Sequence, residues 1–409
     1  MQLSRRWPVN VGIALAGLLV YQLVVIGSGR VADNRGLGWD GEAYAVMVTG
    51  NLTEGKPYPQ SRPLFLLAAR IPYRLGLNVV QSFILLNYLY AFALYLAAAA
   101  LLERSGASPP IRLALIVNLV LCIAPSKMFA FYPVQVDLGA LALMTVAFYL
   151  ASTDRLWLAG LVCVLAATSR EFAAAVALYG MQRSIRLGNG FVRSVLIYLP
   201  TFATLFLIRR WVALSHVQTS APGVLVYDDA ILNLAMLLSP SFLAVYVYFA
   251  VTVFGGVSAL LAVRGGYVLR KFRAEPELAT FLLVVGALAA LGSSDIWRYL
   301  VFSLPAVLVL AGAYWNNRDW RYTTRVFVAI TAFTVITQRS FERMDTTRYF
   351  RDWFPLYSYS GQSDPIADLV ATWSVRFAAV ALMTLALYLM ARTPDATLAP
   401  QGRQPLVST

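Results

Sequence analysis

Apolar runs dominate the sequence, set end to end with short polar turns between them. Many are long enough to cross a hydrocarbon core of about 30 Å, which takes roughly 20 helical residues. Lipid offers no hydrogen-bond partner to backbone N–H and C=O groups, so such runs fold as helices. Composition agrees: 59% of the 409 residues are hydrophobic and 13% charged, with mean hydropathy +0.66. A soluble surface needs about 25% charged residues, so lipid is the main solvent. The fold class expected is all-α, a polytopic transmembrane helical bundle forming one domain over 1–391. The tail 392–409, rich in Pro, Gln, Thr and Ser, is expected to be disordered and cytoplasmic.

Spans are predicted near 8–27, 77–102, 112–125, 136–152, 155–168, 171–183, 194–213, 237–263, 277–292, 296–315, 323–338 and 368–391. The segment 155–183 reads two ways, as one long helix or as two short ones meeting at Ser169-Arg170-Glu171. Charge decides, because Lys and Arg gather on cytoplasmic loops. With Arg5 and Arg6 inside, a break at Ser169 keeps the Arg183–Arg193, Arg264–Arg273 and Asn316–Arg325 loops inside as well. One unbroken helix would put the first two outside. A break is therefore expected, giving about 11–12 helices, with Arg170 and Glu171 near the outer face. The first loop, 28–76, and the last, 339–367, then also lie outside. Met1–Arg6, ahead of an apolar run, reads as a signal anchor retained as the first span. No repeat of solenoid or inverted-transporter kind is evident.

The net charge is +13, which positive cytoplasmic loops account for without a nucleic-acid partner. The single histidine, His216, excludes a multi-histidine metal site. Cys122 and Cys163 fall inside apolar runs and read as core residues, not a disulfide. No G-x-x-x-x-G-K-[ST], H-E-x-x-H or G-x-S-x-G pattern occurs. That counts against an ATP-driven pump, a zinc protease and a serine hydrolase.

Candidate chemistry gathers at the outer face. Asp40-Gly41-Glu42 stands in the first loop between Trp39 and Tyr44, followed by Ser61-Arg62-Pro63. Asp40 precedes a short helical stretch, so it reads both as an N-cap and as a general base for a hydroxyl. Tyr44, four residues on, shares its helix face, while Glu42 points elsewhere and suits the helix dipole. Residues 64–75 suit a helix lying in the interface. Arg170-Glu171 reads as a buried ion pair or as charges facing a cavity. Asp295, Trp297, Arg298 and Tyr299 read as interfacial anchors or as site residues. Asp137 reads as a helix cap or as part of the same face. Together Asp40, Arg62, Asp137, Arg170, Glu171, Asp295 and Arg298 meet at one membrane face. An arginine-lined cavity open to lipid suits a phosphate-bearing lipid, because guanidinium binds phosphate through paired hydrogen bonds.

At these residues the sequence resembles the GT-C superfamily of polytopic membrane glycosyltransferases, in particular bacterial mannosyltransferase-like members. Asp40-Gly41-Glu42 is similar to the modified D-x-D motif of that superfamily's first external loop. The stretches Trp39–Tyr44, Ser61–Leu64, Ser169–Phe172 and Asp295–Tyr299, with Pro305 beyond, resemble recurring stretches of such proteins. The resemblance implies a hexosyl- or pentosyltransferase in a bacterial inner membrane, with its active site on the outer side. The implied partners are a polyprenyl-phosphate-linked sugar donor, a glycan or glycolipid acceptor and membrane lipid. Asp40 is implied as the general base and Glu42 as its catalytic neighbour, with inversion at the anomeric carbon. Arg170 and Arg298, backed by Arg62, are implied at the leaving phosphate. Tyr44, Asp137, Glu171, Asp295 and Tyr299 complete the implied substrate site. No cofactor is expected; with so few candidate ligands metal independence is favoured, and a divalent metal is the open alternative. The motif reads D-x-E rather than D-x-D, which leaves the role of Glu42 open. The soluble C-terminal domain of larger members has no counterpart here. Two other readings stay open: a lipid or oligosaccharide transporter or flippase using Arg170, Glu171 and Asp295, and a surface-polysaccharide polymerase or ligase working through loop 339–367.

Overall fold

The computed structural model describes residues 7–52, 61–215, 240–292, 296–316, 318, 320–344 and 365–391. All regular structure among them is helical. From the N-terminus come α1 (Trp7–Ser28), then two short helices of the first loop, α2 (Gly38–Thr49) and α3 (Pro63–Arg74). Next are α4 (Val79–Arg104), α5 (Pro109–Leu121), α6 (Asp137–Ser152), α7 (Leu156–Ala167), α8 (Ala173–Arg186) and α9 (Phe191–Ser215). The second half holds α10 (Pro240–Thr252), α11 (Gly256–Val263), α12 (Gly265–Ala274), α13 (Pro276–Gly292), α14 (Leu304–Trp315), α15 (Trp320–Gln338) and α16 (Pro365–Ala391).

The core is apolar, but large apolar side chains also cover the outside and several charges lie buried. Leu19, Ile26, Phe206, Leu283 and Val375 are exposed, while Arg62, Asp137, Arg170 and Glu277 are buried. Both halves of that pattern suit lipid as solvent. Five helical stretches among the described residues are each long and apolar enough to cross a membrane: 7–28, 79–104, 191–215, 298–315 and 374–391. Counting each of three sharply bent pairs as one span gives eight. The expected number was larger because α6, α7 and α8 are short, with 16, 12 and 14 residues. At 1.5 Å per residue they reach only about 18–24 Å. These short helices form the centre: α6 packs on α4 and α7, α7 and α8 pack on α9, and α8 packs on α13. Glycine allows the close approaches. A Cβ at Gly160 would sit 2.6 Å from the Ile197 carbonyl oxygen, and one at Gly139 would enter the Phe65 ring. The Phe65 contact seats α3 on the first turn of α6.

The chain breaks at residues 168–172, between α7 and α8, as the charge argument expects. Other breaks were not foreseen. The stretch predicted as one span over 237–263 bends by 107° between α10 and α11. Gly255 takes φ +54°, and a Cβ there or on Gly256 would collide with Thr334 or Ile330 of α15. The span predicted over 112–125 ends early. α5 stops at Leu121, Cys122 turns extended, and a π-turn over Ile123–Lys127 begins a segment bent by 71°. Pro125 has no N–H with which to continue an α-helical ladder. One side chain mends both breaks: Gln338 accepts from Ile123 N–H at 3.0 Å and donates to the Thr252 carbonyl at 2.6 Å. The Thr334 hydroxyl accepts from Gly256 N–H at 2.9 Å. A third departure is α12, a helix where the sequence reads a basic loop. Cys122 and Cys163 are buried free thiols, as expected. Met1–Arg6, residues 345–364 of the last predicted external loop and the tail 392–409 lie outside the described residues.

Candidate functional site

Asp137 is the centre of the site. It is the first residue of α6, and Val136 occupies the cap position without a side-chain hydrogen bond, so the helix-cap reading of Asp137 is not met. Its carboxylate is fully buried and serves two arginines instead. Oδ1 accepts from Nε of Arg170 and pairs with its Nη2. Oδ2 accepts from Nε of Arg298 at 2.6 Å and pairs with its Nη2 at 2.5 Å. Each guanidinium presents an edge to one carboxylate oxygen, a strong charge-assisted arrangement. Arg170 therefore pairs with Asp137 and not with its neighbour Glu171, which stays partly exposed. Arg62 is the third buried arginine of this site, and its charge also acts on Asp137. Its Nη1 donates to the Tyr44 hydroxyl at 2.5 Å. The Arg170 guanidinium lies 5.4 Å from the Tyr299 ring centroid, and Phe172 packs on the same ring.

The wall beside this clamp carries the Asp40 turn. α2 begins earlier than expected, with Leu37 at the cap position and Asp40 as the third helical residue. Asp40 is therefore not the N-cap. Its backbone lies one turn before Tyr44, and its side chain lies outside the described residues. The Tyr132 hydroxyl ties down this first turn, accepting from Gly41 N–H at 2.9 Å. Gly38, at φ +71°, leaves room for the Tyr132 ring where a Cβ would clash. Gly41 in turn backs onto Val134. Tyr132 and Val134 belong to the turn that runs directly into Asp137. At its other end α2 is held by Arg70 of α3, which donates to the carbonyls of Met47 at 2.7 Å and Gly50 at 2.5 Å. A cation there also complements the helix dipole. Glu42 is exposed, whereas Tyr44 is fully buried.

The structure thus brings together Tyr44, Arg62, Asp137, Arg170, Arg298 and Tyr299, with the Asp40 backbone on the adjoining wall. Glu42 and Glu171 do not join the clamp, and Asp295 lies outside the described residues, as does His216. Two further residues stand outside the expected set of site residues. Gln135, two residues before Asp137, is 3% exposed, and neither of its amide atoms has a hydrogen-bond partner among the described residues. The same is true of the buried Ser169 hydroxyl, next to Arg170. Native proteins seldom leave buried polar atoms unmet, so such atoms at a site mark where a polar ligand or water belongs. Among the described residues no three His, Cys, Asp or Glu side chains gather as metal ligands. No protein-family model, curated protein or solved structure matches the chain.

Proposed function

We propose that this chain is a membrane glycosyltransferase that moves a sugar from a polyprenyl-phosphate-linked donor to an acceptor hydroxyl. The observation that carries the reading is the burial of Arg62, Arg170 and Arg298 around one carboxylate, beside the turn that bears Asp40. The reaction breaks the bond between the anomeric carbon and the phosphate oxygen. Asp40 takes the proton from the acceptor hydroxyl, whose oxygen attacks the anomeric carbon opposite the phosphate and inverts it. The lipid phosphate departs with the bonding pair, and Arg170 and Arg298 stabilise its growing charge. Asp137 is a positioning residue that holds both guanidiniums in place. The Gln135 amide and Ser169 hydroxyl supply donors and acceptors for sugar hydroxyls. α7 and α8 are too short to cross the hydrocarbon core, which sinks the Arg170 turn below the membrane surface if their other ends sit at the opposite interface. At that depth a charge interaction is stronger than in water. The positive-inside rule supports an outward orientation of this face, and the resemblance to bacterial members supports a bacterial inner membrane as its location.

Purified protein supplied with a radiolabelled polyprenyl-phosphate sugar tests the reading. Transfer to an acceptor is expected, and Asp40→Asn should lower turnover by roughly 10²–10⁴-fold while leaving donor binding intact. Wild-type turnover in Asp40→Asn removes Asp40 as the base. Donor translocation across proteoliposomes without transfer would favour a transporter instead. That rival draws support from the broken spans at 122–123 and 253–255, since discontinuous helices line many transporter sites. Here, however, buried side chains of α15 seal both breaks.

A further inference from the structure

α12 is amphipathic, and none of its residues is buried. Gly265, Val268 and Leu269 fall at i, i+3 and i+4, on one face. That face lines an apolar cavity of about 430 Å³, walled by α10 and α11 on one side and by α13 and α14 on the other. Leu261, Val285, Val307 and Leu310 form much of the wall. The Tyr246 hydroxyl bridges α10 to α13 by donating to the Gly286 carbonyl at 2.9 Å. Ala250, Ala262 and Leu269, at the margin, are exposed, so the cavity opens at the side of the bundle. Its volume lies within the range of about 300–1,000 Å³ typical of ligand pockets.

The charges around α12 divide into two sets. Arg264 donates to the Tyr314 hydroxyl at 3.2 Å, Lys271 pairs with Glu275 at 2.6 Å, and Arg186 holds the Ala274 carbonyl at 2.8 Å and Glu277 at 2.5 Å. These contacts pin the helix at both ends. Arg270 and Arg273 are exposed and form no ion pair among the described residues. Arg273 stands one turn after Leu269, so positive charge borders the apolar face at the cavity mouth.

We propose that this is a binding site for an anionic glycerophospholipid, with one acyl chain in the cavity and the phosphate headgroup on Arg270 and Arg273. Apolar burial and attraction of basic residues to anionic lipid act together at a membrane interface. The site is separate from the Asp137 clamp and does not depend on sugar transfer. Its far end reaches Leu300 and Ser303, just beyond Arg298, so a bound chain touches the segment that positions that arginine.

Native mass spectrometry of the full chain, released from mixed phosphatidylglycerol–phosphatidylcholine nanodiscs, tests the proposal. The wild type is expected to retain phosphatidylglycerol in preference to phosphatidylcholine. Changing Arg270→Gln and Arg273→Gln together should lower that preference by about 30-fold, at roughly 1 kcal/mol per basic residue near an anionic surface. Both positions are exposed, so the variant should unfold at the wild-type temperature. Val268→Trp, which fills the cavity, should lower retention of both lipids. Equal retention of the two lipids by the wild type overturns the proposal, as does an unchanged preference in the Gln variant. Retention of added polyprenyl phosphate in place of phosphatidylglycerol would assign the cavity to the donor and overturn it too.

Discussion

Asp137 is buried with an arginine on each of its two oxygens. Removing its charge leaves two guanidiniums facing each other at a buried site. Breaking a buried ion pair from one side costs about 3–5 kcal/mol. Asp137→Asn is thus expected to lower the stability of the purified chain by about that much, read by thermal unfolding in detergent, and an unchanged midpoint would show that the clamp does not hold the fold. Gln135 behaves oppositely. Replacing an unmet buried amide with an apolar group of similar shape is close to neutral or stabilising. Gln135→Leu should therefore keep its unfolding temperature, yet raise KM for the donor by roughly three- to tenfold, the worth of one hydrogen bond. Lost stability with unchanged KM would make Gln135 a structural residue. The contrast explains what the sequence discloses at this scale. Arg62, Asp137, Arg170 and Arg298 stand out because charge is costly in an apolar run. Their pairing is hidden, because Asp137 reaches partners 33 and 161 residues away. Gln135 and Tyr132 are uncharged, so composition alone does not raise them above their neighbours.

Helix boundaries were legible wherever charge marked them. Arg170 and Glu171 interrupt an apolar run, and the chain does break there. Gly255 and Gly256 interrupt nothing, since glycine is common in membrane helices, and the break shows only through the shape of α15 across from it. α12 was concealed by its own charge: three basic residues in ten, with Arg264 just ahead of them, read as a loop until the i, i+3, i+4 spacing is followed. The most informative element is α15, whose Gln338 serves two breaks at once. Gln338→Leu would strand the Ile123 N–H and the Thr252 carbonyl, at about 1–3 kcal/mol for each buried unmet group. The expected result is a loss of roughly 2–6 kcal/mol. Faster amide exchange should appear near 123 and 253–257 and spare α7 and α8. Protection unchanged at both breaks would mean that the helix ends hold without this side chain.

At the scale of the molecule the proposal turns on sidedness, because a lipid-linked sugar can be used only from the face where the clamp opens. Arg183, Arg186, Arg264, Arg270, Arg273 and Arg318 crowd one end of the bundle, in the last turns of α8, along α12 and just beyond α11 and α14. The clamp sits at the opposite ends, at the start of α6 and the turn between α7 and α8. If basic loops face the cytoplasm, the clamp faces out. Cysteine labelling can read this directly, since the two native thiols are buried. Leu187→Cys places a thiol at an exposed position just beyond α8, and Thr49→Cys places one at the exposed end of α2. In intact cells a membrane-impermeant maleimide is expected to label Thr49→Cys and to reach Leu187→Cys only after the membrane is opened. The reverse pattern would invert the bundle and turn the Asp137 clamp toward the cytoplasm. Labelling of both positions in intact cells would mean that α7 and α8 do not return the chain to the inner side, and the sidedness argued from charge would fail with them. The outcome also bears on mechanism, for the depth of Arg170 follows from two short helices, α7 and α8, whose other ends lie at the basic end of the bundle. Only a chain threaded in that sense carries the clamp down from the outer surface into the low-dielectric layer, where the proposed mechanism needs its arginines to act on a departing phosphate.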